Sequence, residues 1–538
     1  MCRGSCDVFG SFVVACDTSE KWSEHGSRPT AAATAVTHKH GYYGWDPMAR
    51  LKSVLVAACL ALSVPSPHIL DARQAVAADP VARITRIEQG LLPAVRVTNA
   101  PPVKYSLAER MAYYNVPAMS VAFVENGRVT WSRAYGLGDV ANGTRATVDT
   151  LFQAASISKP LSALAVLRLV QDGELALDED VNVKLKRWKV PENEFTKVEK
   201  VTLRRLLTHS AGTTVSGFPG YESTVAVPTT IQVLNGETPA NTRPIRVDVE
   251  PGQRMRYSGG GFTIMQLLVG DITGKAFPQA MREFVLEPLG MTSSTYEQPL
   301  PTAMRSRATL AYQRSGEPVK GGPHIYPEMA AAGLWTTPSD LARVAIALEA
   351  GFEGRPSRIL SAAMVKQMLT HQRDGYGLGI AVNGDGPSLR IGHRGANAGY
   401  RCQWVQYPNR RQGVIVMTNS DAGGEVIAEL LRAISTEYDW PDFRPVPRTT
   451  APIDVSALPA LVGDYRGDRE WSVTVTHERG RLFVLAPPLG PVRVQLLHAG
   501  GGDFFTETAA VTFRFADDRQ SVVLQDGQDT FTLTRVKP

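Results

Sequence analysis

The chain has 538 residues, 43% of them apolar and 20% charged, and 57 Lys and Arg against 52 Asp and Glu give a net charge of +5. That length and apolar share suit a globular protein of more than one domain. The small charge and the lack of any basic run give no footing for a nucleic-acid partner, and the cysteine spacings exclude zinc sites of the C-x-x-C kind.

Residues 1–47 show no apolar periodicity and precede a segment, 48–77, with the pattern of a secretory signal. Met48 is followed by Arg50 and Lys52, then by an apolar run at 54–64, then by Ala75-Val76-Ala77 as an A-x-A cleavage site. The run is short of the roughly 20 residues a spanning helix needs, so no stable membrane span is expected. The expectation is that translation starts at Met48, that residues 1–47 are an over-extended and disordered N-terminus, and that the protein is periplasmic or secreted. Cys2, Cys6, Cys16 and Cys59 all precede the cleavage site, which leaves Cys402 as the single thiol of the mature chain and no internal disulfide.

In the mature chain, two strand-like runs at 120–125 and 128–132 flank Asn126-Gly127, the signature of a hairpin with a type I′ turn. Strong helix formers follow Ser156 as far as Gly173, a natural C-terminal stop, and an apolar helix is expected over 262–269. Strands are expected at 379–382, 388–391, 400–407 and 413–418, then a helix at 425–438. Strands at both ends and helices between predict an α+β fold, an antiparallel sheet flanked by helices with an inserted helical region, over residues 78–439. Pro441, Pro445, Pro447 and Pro452 mark residues 440–453 as a linker. Eight short strands at regular spacing between 454 and 538 predict a small all-β barrel or sandwich, an accessory module with no chemistry-bearing motif.

Three motifs carry the functional argument. Ser156-Ile157-Ser158-Lys159 opens a helix, and side chains three apart share a face, so the Lys159 amine can reach the Ser156 oxygen. A serine hydroxyl becomes a good nucleophile when a neighbouring base takes its proton, and a lysine kept neutral by burial can be that base. Tyr257-Ser258-Gly259 lies between a Pro-Gly turn and a glycine run. Its phenol could relay a proton if positive neighbours lowered its pKa from about 10. His393-Arg394-Gly395-Ala396 sits between two strands, where free backbone N–H groups at a sheet edge can dock a substrate and form part of an oxyanion hole.

In this order the three motifs resemble the serine β-lactamase and penicillin-binding-protein superfamily, which carries S-x-x-K, then Y-x-N or Y-S-x, then K-T-G or H-x-G. The branch most similar is that of class C β-lactamases, D-aminopeptidases and esterases. Segments 206–212, 287–291 and 333–341 share the likeness, which runs from about Tyr105 to Tyr438. The resemblance implies a sheet-and-helix hydrolase without a cofactor or metal, acting on a small-molecule or peptide substrate with an ester or amide bond. It makes Ser156 the acylated nucleophile, Lys159 its proton partner and Tyr257 a second acid/base group. It forms the oxyanion hole from the N–H groups of Ser156 and Ala396, with His393, Arg394, Gly395 and Gly259 at the substrate.

Two departures bear on the substrate. Gly259 stands where the pattern has Asn, and His393 replaces a lysine, a permanent cation, with a group of reference pKa near 6.5. Arg394 or Arg401 is the cation that could compensate, though the sequence does not show where either points. Both departures weaken recognition of the carboxylate on β-lactams and D-Ala-D-Ala termini, so an esterase or D-amino-acid peptide hydrolase is expected over a true β-lactamase. The alternative is a non-catalytic penicillin- or peptidoglycan-sensing domain. No G-x-S-x-G or H-E-x-x-H supports an α/β-hydrolase or a metallohydrolase.

Overall fold

The computed structural model describes residues 79–467, 472–486, 489, 492–527 and 529–536; residues 1–47 and the expected signal segment lie outside them. The chain opens with α1 (Pro80–Glu88), β1 (Val95–Val97) and α2 (Leu107–Tyr113), then β2 (Ala118–Glu125) and β3 (Arg128–Asp139). Asn126 and Gly127 join the last two at φ +54° and +73°, the positive values a type I′ turn requires. Two short strands follow, β4 (Thr144–Arg145) and β5 (Phe152–Gln153), and then α3 (Ser158–Gln171).

The helical middle includes α4 (Leu203–Leu207), α5 (Gly259–Thr273) and α6 (Met329–Ala332). After it come β6 (Trp335–Thr336), α7 (Pro338–Phe352), β7 (Ala381–Asn383), β8 (Arg390–Asn397), β9 (Tyr400–Tyr407), β10 (Gln412–Thr418) and α8 (Gly423–Glu437). The main sheet runs β4-β3-β2-β10-β9-β8-β7, antiparallel throughout, so strands from the two ends of the domain meet where β2 pairs with β10.

Both faces of this sheet are covered at its centre, which is why β2 and β10 read as nearly continuous apolar runs. Along β2, Ala118, Ala122 and Val124 enter one core with α3, α5 and α7, whereas Met119, Val121 and Phe123 enter the other with α1, α2 and α8. Helix α3 lies inside the first core and is buried nearly all round, from Ser158 through Leu167. β7 covers only residues 390–392 of β8, so residues 393–397 have no strand on their outer side and form a local sheet edge.

The expected linker is partly ordered differently. Residues Val446–Arg448 form β11, which pairs in parallel with β1. Pro447 is tolerated because a two-stranded ribbon asks each strand to donate on one side only. The C-terminal strands are β12 (Gly463–Arg466), β13 (Ser472–Glu478), β14 (Arg481–Leu485), β15 (Val494–Gly500), β16 (Asp503–Phe505), β17 (Val511–Phe515), β18 (Ser521–Asp526) and β19 (Asp529–Arg535). They close into a barrel, with β19 pairing back onto β12. Of the two architectures expected there, the barrel is the one formed. Among the described residues no helix is long and apolar enough to cross a membrane.

Candidate active site

Ser156 sits on a single tight turn, Ala155–Ile157, between β5 and α3. Ala155, a non-glycine residue, is held at φ +50°, a conformation that costs energy and persists only where the surroundings impose it. Those surroundings are visible. Ala154 N–H donates to Leu334 O at 2.8 Å, and Ser158 Oγ donates to Ala155 O at 2.6 Å while accepting from Leu334 N at 3.0 Å. The turn is thereby pinned to the strand before α7, and Ser156 stays partly open at a helix start, where its N–H has no intrahelical acceptor.

Lys159, 2% exposed, lies one turn along with its Nζ 2.9 Å from Ser156 Oγ and 2.9 Å from Ala331 O on α6. Burial without a carboxylate partner brings its pKa down from 10.5 to about 7. An amine that is neutral in a large fraction of molecules at neutral pH can accept the serine proton, as the motif's chemistry requires.

Tyr257 completes this cluster. Its ring is 5.0 Å from Lys159 Nζ and its hydroxyl interacts with Ser156. The expectation that positive neighbours lower its pKa is not met. Burial raises it well above the usual value, and the contact with Ser156 offsets only part of that rise. The reason is that the nearest cation, Lys159, is itself driven toward neutrality. Tyr257 is therefore a protonated, neutral phenol rather than a standing base.

His393, on β8, is 5% exposed. Its Nδ1 lies 2.7 Å from Arg394 O, which can only accept, so that nitrogen carries the proton; Nε2 then accepts from the Tyr376 hydroxyl at 3.3 Å. Burial, followed by the nearby Lys159, pushes its pKa down to about 3. The imidazole is thus neutral across the working range, further from a lysine substitute than a reference value near 6.5 suggests.

Gly395 is required by close approach: a Cβ there would stand 2.3 Å from Ala154 O, so only glycine lets β8 reach the turn that carries Ser156. Asn397 pairs with Tyr400 across a two-residue turn. Pairs alternate along a hairpin from that closing pair, which aims the Ala396 N–H away from β9, to the uncovered edge. The Ala396 N–H thus faces the uncovered edge one residue from where β8 meets the turn that carries Ser156. Arg394 follows His393 on β8, exposed on its surface and without an ion pair among the described residues, and its charge reaches His393 and Tyr376, while Arg401 is tied to Asp421 at 3.0 Å. Gly259 has little to offer a ligand. Its N–H goes to Ser216 O at 3.0 Å, and Phe218 Cε2 stands 2.9 Å from where a Cβ would be. The room that a side chain would need there is filled by Phe218.

The profile of the beta-lactamase family matches residues 105–436, more than half of the chain and the whole of this site. The chain belongs to the beta-lactamase family. Protein flp of Staphylococcus aureus (strain N315) is 28% identical over 230 residues, covering 42% of each protein, so the chain spans well under half the length of that relative. Esterase EstB of Burkholderia gladioli is 28% identical over 295 residues, 50% of this chain and 72% of the esterase. The octameric penicillin-binding protein homologue from Pyrococcus abyssi shares the fold at a TM-score of 0.53 and 22% identity, over 80% of this chain and 98% of that one.

Beyond the three motifs, two side chains stand at the site that the sequence pattern does not single out. Tyr376, on the loop before β7, bonds to His393 and meets the His209 ring edge-on at 5.0 Å. Nothing local marks it, since it follows Gly375 in an irregular segment. His209 is marked only by its place in the segment 206–212, yet its ring lies 4.3 Å from that of Tyr257.

Proposed function

We propose that this beta-lactamase family member is a serine hydrolase that cleaves an ester or amide bond through an acyl-enzyme on Ser156. The observation that carries the reading is the 2.9 Å contact between Ser156 Oγ and a buried Lys159 whose pKa falls to about 7. Neutral Lys159 takes the hydroxyl proton as Oγ attacks the substrate carbonyl, and the Ser156 and Ala396 N–H groups stabilise the oxyanion. The proton passes through Tyr257 to the leaving alcohol or amine as the C–O or C–N bond breaks. A water, deprotonated by the same pair, then releases the acid and restores Ser156.

The substrate class follows from His393. A neutral imidazole spent on Tyr376 and Arg394 O gives no charge to a substrate carboxylate, which favours esters and neutral amides, D-amino-acid derivatives among them, over β-lactams. The esterase relative from Burkholderia gladioli supports that choice. A penicillin-sensing domain without turnover is the second reading, favoured by the lost side chain at Gly259 and opposed by the intact Ser156–Lys159–Tyr257 cluster. The export signal at 48–77 makes a periplasmic or secreted location part of the proposal, and N-terminal mass spectrometry of native protein tests it. Turnover of p-nitrophenyl butyrate, nitrocefin and a D-amino-acid p-nitroanilide on one preparation tests the function. Faster nitrocefin hydrolysis, or no turnover of any of the three, overturns it.

A further inference from the structure

We infer that His209 is a positioning residue that holds Tyr257 in its catalytic orientation. The inference rests on the proposed role of Tyr257. His209 grips the backbone on both sides of that tyrosine: its carbonyl accepts from Arg256 N at 2.7 Å, and its Nδ1 accepts from Ser258 N at 3.1 Å. Its ring lies against the Tyr257 ring at 4.3 Å and against Phe262 at 5.4 Å, covering one side of the phenol.

The arrangement carries two costs that packing alone does not explain. His209 sits at φ +54°, in the left-handed region, and its Nε2–H is buried with no hydrogen-bond partner among the described residues. The tautomer is dictated by the acceptor role of Nδ1, since a backbone N–H can only donate. Burial, with Lys159 and His393 nearby, keeps the ring uncharged, so the acceptor persists at low pH. Ser258 Oγ in turn caps α5 by accepting from Gly261 N at 3.1 Å, so the grip on Ser258 fixes the start of α5 and the Tyr257 hydroxyl beside Ser156 together.

The test compares three variants with p-nitrophenyl butyrate, each rate referred to the folded fraction. His209→Ala removes acceptor and ring and is expected to lower kcat by about 30- to 100-fold with KM within about threefold, the signature of a displaced catalytic group. His209→Asn keeps a short acceptor and tolerates positive φ, and should recover about tenfold of that loss. His209→Phe keeps a ring without an acceptor and should not recover it. Tyr257→Phe with His209→Ala should lose no more than Tyr257→Phe alone. If His209→Phe outperforms His209→Asn, or His209→Ala stays within about threefold of wild type while Tyr257→Phe is inactive, the role of His209 falls. If Tyr257→Phe itself is fully active, the reading of the site falls instead. Should His209→Ala not fold, the comparison of the other two decides.

Discussion

Replacing Lys159 with methionine should stabilise the protein while abolishing its activity. The native amine titrates at about 7 and the unfolded one at 10.5, and that gap corresponds to about 5 kcal/mol of unfavourable burial. The unfolded chain binds the extra proton between these values, so stability rises with pH from about 7 to 10.5 and carries the whole penalty below 7. The Lys159→Met substitution removes the penalty but leaves Ala331 O without its donor, a loss of about 1–3 kcal/mol; Ser156, partly open, can turn to water. The net gain is about 2–4 kcal/mol at pH 6 and close to zero at about pH 9.5. Urea unfolding followed by near-ultraviolet circular dichroism at those two pH values, for both proteins, measures it. A variant less stable than wild type at the lower pH, or a difference that does not change with pH, refutes the account of Lys159 as a buried, nearly neutral amine.

Other outcomes follow from the same geometry. Ser156→Ala should cost several orders of magnitude in kcat and lose labelling by a fluorophosphonate probe; mass-spectrometric labelling at Ser158 or Ser258 in wild type would reassign the nucleophile. His393→Lys should raise kcat/KM for nitrocefin about 10- to 150-fold relative to p-nitrophenyl butyrate, as a charged contact worth about 1.5–3 kcal/mol would. Acidification to pH 5 should not mimic it, because His393 stays neutral to about 3; a nitrocefin preference appearing at pH 5 in wild type would contradict this. Glu328 is fully buried, neither carboxyl oxygen has a hydrogen-bond partner among the described residues, and burial raises its pKa to about 8. The native state holds that proton above the unfolded value of 4.5, so stability falls as pH rises from about 4.5 to 8. Glu328→Gln should raise Tm relative to wild type more at pH 8 than at pH 4, and equal shifts at both would rule the titration out.

The features legible in the sequence are those written in short-range pattern. The Asn126-Gly127 hairpin, the helix that opens after Ser156 and all eight barrel strands follow from turn chemistry and periodicity within a few residues of each element. Local pattern misleads where a distant segment decides. The strand expected at 388–391 stops short of residues 393–397, which the sequence places only at a sheet edge between two strands. Pairing with 400–404 makes them part of β8, and the close approach of Ala154 O explains the glycine. Tyr376 and Phe218 reach the site from irregular segments with no period to betray them.

The electrostatics are the least legible part, and for one reason. Motif identity says which titratable groups meet, but the sign of each shift depends on whether a counter-charge is buried with them. Among the described residues no carboxylate accompanies Lys159, Tyr257 or His393, so desolvation is the largest cause of the shift at each: the amine toward neutral, the phenol to its protonated form, the imidazole to its unprotonated form. A site assembled from a neutral base, a neutral acid and a neutral imidazole can run acyl transfer on a neutral substrate without first displacing a bound counter-ion. None of these three neutral groups can pair with a carboxylated substrate, which leaves Arg394 as the cation near the site. The residue at 393 and the pKa of Lys159 are therefore linked: a lysine in place of His393 would add a charge beside Lys159 and depress its pKa further, so His393→Lys is expected to lower the pH at which activity falls off on the acid side while raising the nitrocefin-to-ester ratio.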